Sequence, residues 1–149
     1  MSAVEGGVYA VHLLFAGLWT GSVLFVTWAV LPTAADGTSS AGTLSAITGR
    51  LKTVSRTSAV FLLLTGGYLA GVKYGGGALT STTKGYLVIA MIVLWLALGG
   101  LVEVGASRLA DGFDQQKVRE PARQARPFFY AASVVAVLLL IDAGAIVGF

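Results

Sequence analysis

The chain contains no cysteine in its 149 residues. That absence excludes disulfides, thiolate metal centres and redox thiols. Charge is scarce as well: Lys, Arg, Asp and Glu make up 11% of the residues, where a soluble domain carries roughly 25%. There is one histidine, His12, and of two methionines only Met91 is internal, so ligands for a soft metal are few. No catalytic triad, zinc-ligand cluster or phosphate-binding loop is present, and enzyme motifs are missing altogether. What fills the chain is apolar: 56% hydrophobic residues and a mean hydropathy of +0.82.

The apolar residues are gathered into runs. Val8 to Leu31 passes without an Asp, Glu, Lys or Arg, long enough for a helix to cross a hydrocarbon core of about 30 Å. Pro32 is expected to end it, and the small polar stretch Thr33–Thr43 reads as a loop. Thr43 is placed to cap a new helix, in which Leu44, Ile47, Leu51 and Val54 recur at helical spacing. Arg50, Lys52 and Arg56 lie among them, the pattern of an amphipathic lead-in at a membrane interface. A second span, Thr57 to Val72, is short, but Arg56 and Lys73 can snorkel outward from its ends. The third begins near Lys84 and continues past Glu103 until Asp111-Gly112 breaks it. Pro127 then opens the fourth, in a favourable first-turn position, and only Asp142 interrupts it.

The expectation is an all-α integral membrane protein, a single domain over residues 1–149. Four transmembrane helices, at about 8–31, 54–73, 84–107 and 127–148, form an up-down bundle. Arg50, Lys52, Arg56, Arg108, Lys117, Arg119, Arg123 and Arg126 fall in the first and third connections, against Lys73 and Lys84 elsewhere. This bias puts those connections in the cytoplasm and both termini outside. Basic residues that flank apolar spans are a topology signal, so the net charge of +3 does not point to nucleic acid. The N-terminal MSAVEGG, acidic and without a basic region, is unlike a cleaved signal peptide. The lipid bilayer is the first partner. Gly17/Gly21, Gly67/Gly71 and Gly144/Gly148 have the small-xxx-small spacing, and Gly99-Gly100 narrows the third helix. These glycines serve either packing inside the bundle or association with a second copy or another membrane subunit.

Topology sets the unusual polar groups at similar depth. His12 lies roughly 7 Å inside the outer boundary at 1.5 Å per residue, Tyr68 about as far in, and Asp142 about 10 Å from the C-terminal end. Lys84 sits at the rim of the third helix. Each helix therefore offers one polar group to the outer half, while the inner half offers hydroxyls, with Glu103 at its boundary. Intramembrane charges face the interior and pair: Asp142 is matched to His12 or Lys84, Glu103 to Arg50, Arg56 or Arg108. Two readings of His12 stay open. It is a packing residue bonded to a backbone carbonyl or Tyr68, or it is a neutral imidazole that holds a metal or haem iron. Trp28 belongs to an interfacial aromatic belt; Trp19 and Trp95, mid-span, are core packing or the wall of a cofactor pocket.

The first helix, VHLLFAGLWTGSVLF, resembles the opening helix of the copper-resistance D (CopD-like) membrane family, with His12, Trp19 and Gly21 in its recurring pattern. GRLKTVSRTSAVFLLLTGGYLAG and YLVIAMIVLWLALGGLVEVGASRL carry the same texture. More distantly, the chain resembles the HemJ-type protoporphyrinogen oxidase, with Lys84 near that type's third-helix lysine and no counterpart to its third-helix histidine. The resemblance implies copper or b-type haem as cofactor and His12 as the metal ligand with Trp19 beside it, and the shared depth adds Tyr68, Lys84 and Asp142 as neighbours. It also implies a prokaryotic plasma membrane as the location. The alternatives are a structural or accessory subunit of a larger membrane complex and, last, a haem-pathway oxidase.

Overall fold

The computed structural model describes all 149 residues. It is entirely helical: α1 (Ala3–Phe25), a π-helical turn (Val26–Val30), α2 (Leu31–Ala35), α3 (Ala41–Lys73), α4 (Ala78–Ser81), α5 (Thr83–Asp114) and α6 (Arg119–Gly148). The α1–π–α2 rod, α5 and α6 are each long and apolar enough to cross a membrane. The fourth long helix, α3, carries Arg50, Lys52 and Arg56 in its interior. Each long helix packs antiparallel on the next, and α6 returns to the α1–α2 rod to close a ring. Both termini therefore lie at one end, and the basic connections at the other.

Several helix ends differ from the sequence-based expectation, each for a local reason. The first helix does not stop at Pro32. The π turn shifts the backbone pairing ahead of it, with Leu31 N–H donating to Val26 O, so Pro32 falls in the first turn of α2, where a missing N–H costs nothing. Ser40, not Thr43, caps α3: its hydroxyl accepts from Thr43 N at 3.2 Å. The basic lead-in is not a separate interfacial helix but the first half of one 33-residue rod. Asp111-Gly112 does not break α5, which runs to Asp114 with Phe113 buried. Pro127 lies inside α6 rather than at its start, because Pro121, Ala122 and Ala125 are buried and hold the preceding turns.

The interior face of α3 follows a strict alternation of three and four residues: Ala41, Leu44, Thr48, Leu51, Ser55, Ser58, Leu62, Thr65, Leu69. That spacing lets a long helix keep one face toward antiparallel neighbours. On α1 and the π turn the corresponding line is His12, Trp19, Val23 and Val26; on α5 it is Trp95, Leu98, Val102, Leu109 and Phe113. The continuous apolar core is confined to the basic half, built around Trp19, Leu44, Leu98, Leu109 and Phe129.

The most extensive seam lies between α5 and α6. A Cβ at Gly105 would come within 2.9 Å of the Phe129 ring, and one at Gly112 would overlap Pro121. These two glycines, one heptad apart, bring the helix backbones together. The pairs Gly17/Gly21, Gly67/Gly71 and Gly144/Gly148 do nothing of the kind, since a Cβ there meets nothing within 4 Å. Packing within the chain is not their role. Gly112→Ala is thus expected to cost about 1–3 kcal/mol as overpacking, seen as a lower thermal midpoint in detergent. Gly67→Ala, in open space, should leave the midpoint unchanged or raise it, as helix propensity favours alanine.

Candidate functional site

The site is built from α1 and α3 first. His12 Nδ1 lies 2.7 Å from Thr65 Oγ1, and Thr65 Oγ1 lies 2.6 Å from the Phe61 carbonyl oxygen. A carbonyl only accepts, so the single hydroxyl proton of Thr65 is given to Phe61. Thr65 must then accept from His12, which assigns the imidazole proton to Nδ1 and leaves a lone pair on Nε2. This is the arrangement in which a second, outer partner fixes the tautomer of a ligating histidine. Gly66 makes room for the ring, since a Cβ there would stand 3.1 Å from His12 Cε1. The stacked pair Phe15–Phe61, 4.3 Å between centroids, closes the seam one turn deeper.

Trp19 plays a different part. It is wholly buried and its indole N–H donates to Ser55 Oγ at 2.8 Å. The side chain reaches across to the Gly99 position of α5. Its polar atom is already used within the chain, so Trp19 forms the floor beneath the His12 level and has no free donor for a ligand.

The remaining candidates are spread out. Asp142 is buried on α6, and its Oδ2 has no hydrogen-bond partner. It forms no ion pair with His12 or Lys84, because the only salt bridges are Arg56–Glu103 and Lys117–Glu120. Lys84 is half-buried at the start of α5 and has no partner among the hydrogen bonds or ion pairs. Tyr68 is 42% exposed, off the interior line of α3, and is not the histidine's partner. Glu103 pairs with Arg56, as Nε to Oε2 at 3.3 Å and Nη2 to Oε1 at 2.5 Å. Both side chains are exposed, so the pair marks register more than it stabilises. Trp28 is exposed and stacks on Tyr130 at 5.5 Å.

Thr65, Gly66 and Ser55 escaped the sequence reading because hydroxyls and glycines are common in membrane helices. The three-four line of α3 was the signal that places Ser55 and Thr65 inside. No group of three or more His, Cys, Asp and Glu side chains comes together anywhere in the chain. What the level offers chemically is one oriented imidazole lone pair on α1 and one unpartnered carboxyl group on α6.

Residues 45–147 match the family model described as copper resistance protein D. The matched segment takes in α5 and nearly all of α3 and α6, including Thr65, Lys84 and Asp142. His12 and Trp19 lie before it. No curated protein and no solved structure matches the chain.

The Trp19–Ser55 bond carries its own test. Ser55→Ala strands a buried indole N–H, and the expected cost is about 1–3 kcal/mol. Thermal unfolding in detergent reads the change; Ser22→Ala, whose hydroxyl bonds only its own helix, is the comparison expected to stay near the parent value.

Proposed function

Because this chain belongs to the copper resistance protein D family, we propose that it is a multi-pass membrane protein that takes copper as cargo at His12. In this reading all four long helices span the bilayer. The basic end faces the cytoplasm under the positive-inside bias, and the site opens toward the extracytoplasmic side where both termini lie. The observation that carries the reading is the proton assignment: Thr65 gives its proton to Phe61, so His12 presents a bare Nε2. Imidazole nitrogen is a good copper ligand. The family match supplies the metal.

The donor set fits an exchangeable site rather than a closed one. One imidazole, with the Asp142 carboxyl group and the thioether of Met91 as further donors on other helices, falls short of a preformed cage. Such a site favours hand-over of a metal above its storage. The apolar core of the basic half lies beneath it, with Trp19 as the uppermost large side chain. Copper entering from the termini end would halt there in this conformation.

A second reading draws on the open glycines. Three small-xxx-small pairs unused within the chain support an accessory subunit, docked through those faces to a second copy or another membrane protein.

Copper binding to the purified full-length protein separates them. The parent chain is expected to bind one copper in an equilibrium titration, and His12→Ala to lose that binding. Thr65→Val, which frees the ring to change tautomer, should weaken binding by about 10–100-fold. A parent chain that binds no copper yet elutes as a homo-oligomer or with a membrane partner would replace the first reading with the second. A Soret band would point to b-type haem on the same imidazole.

A further inference from the structure

Four buried side-chain atoms in the chain lack any hydrogen-bond partner: Ser58 Oγ, Trp95 Nε1, Ser133 Oγ and Asp142 Oδ2. The two serines carry little, because a helical serine can turn its hydroxyl onto the carbonyl one turn back. An indole N–H has no such escape, and neither has a carboxyl group in its ionised form, which can only accept. The indole has a single donor direction, and the backbone around a mid-helix carboxylate has no free N–H to offer it. Each such group left alone in an apolar interior is destabilising, so Trp95 and Asp142 call for an occupant.

The two groups converge on one place. The close pairs Gly105–Phe129 and Gly112–Pro121 fix the register of antiparallel α5 and α6. Carried toward the termini, that register sets Asp142 opposite about Ile92, within one helical turn of Trp95. Side chains lean toward the N-terminus of their own helix. Trp95 therefore leans toward the termini end and Asp142 toward the basic end, so that indole and carboxyl approach each other. Both lie on interior lines: Trp95 in sequence with Leu98 and Val102, Asp142 in sequence with Val135 and Leu139, which pack against the core. They do not bond directly, and the His12–Thr65 and Arg56–Glu103 pairs set their level at the depth of His12 and Thr65.

We infer that Trp95 and Asp142 together bind one ordered water molecule, which accepts from Trp95 Nε1–H and donates to Asp142 Oδ2. A bare metal ion does not fit, because an indole N–H has no lone pair to give. A water needs two or more polar partners in a polar niche, and these two groups supply one donor and one acceptor. The assignment gives Trp95 a ligand-positioning role and makes Asp142 a hydrated group inside the bundle. It does not depend on copper reaching His12.

The three tryptophans make the test direct. In the full chain labelled with ¹⁵N-tryptophan in micelles, the three indole N–H signals are read for magnetisation exchange with water. Trp28, exposed, serves as the positive control, and Trp19, bonded to Ser55, as the negative one. Trp95 is expected to show a water contact and to exchange at least roughly tenfold faster than Trp19, whose N–H is held in a buried hydrogen bond. Asp142→Leu, which removes the acceptor, should abolish the Trp95 contact while the Trp19 signal stays in place as the report of an intact fold. A Trp95 signal without water contact, exchanging as slowly as Trp19, overturns the site. So does a contact that survives Asp142→Leu undiminished. Silver(I), added as a copper(I) mimic, reads His12 separately, so failure of either result leaves the other standing.

Discussion

The close approach of α5 and α6 is the constraint on which the rest of the bundle depends. Gly105 and Gly112 let Phe129 and Pro121 into the space their side chains would have filled, and this locks the basic halves of the two helices together. In a bilayer, lipid tails give no hydrophobic drive for association, and packing of this kind carries the load. Once α5 and α6 are fixed, α3 lays its three-four face against α5 with Arg56 beside Glu103. The α1–α2 rod then closes the ring, with Thr27 Oγ1 3.3 Å from Phe129 O and Arg119 donating to Asp36 O at 3.3 Å. All of these ties lie in the basic half.

That asymmetry decides where chemistry can happen. The basic half is filled by Leu44, Leu98, Leu109, Phe113 and Phe129, and its buried hydroxyls Thr27 and Thr48 bond back to their own helices. The termini half holds the polar groups: the His12–Thr65–Phe61 chain, the Trp95 indole and the Asp142 carboxyl. Trp19 separates the two, its ring across the bundle and its N–H committed to Ser55. A buried polar group without a partner is costly, and the proposed water would supply what Trp95 and Asp142 lack.

Much of this was legible in the residues. The apolar runs announce four long helices, and a lone histidine in an uncharged stretch singles itself out. Helix ends were not legible, since tertiary packing overrides local signals. Pro32 is accommodated by a π turn, Pro127 by the buried turns before it, and Asp111-Gly112 by the contact with Pro121. Which glycines pack within the chain was hidden for a related reason. Spacing alone cannot say which glycines face a neighbour, and the working pair, Gly105 and Gly112, is seven residues apart instead of four. Tyr68 shares the depth of His12 but not its face. Thr65 shares both, and the heptad line from Ala41 to Leu69 is what distinguishes them.

His12 can be a prepared ligand only if its proton sits on Nδ1. Because the chain has one histidine, the imidazole nitrogens of the full-length ¹⁵N-labelled protein give an unambiguous long-range ¹H–¹⁵N correlation pattern. A proton on Nδ1 and a bare Nε2 in the metal-free protein is the predicted result, with that pattern lost or mixed in Thr65→Val. A proton on Nε2, or on both nitrogens, at neutral pH would contradict the Thr65 assignment and with it the case for His12 as a prepared ligand.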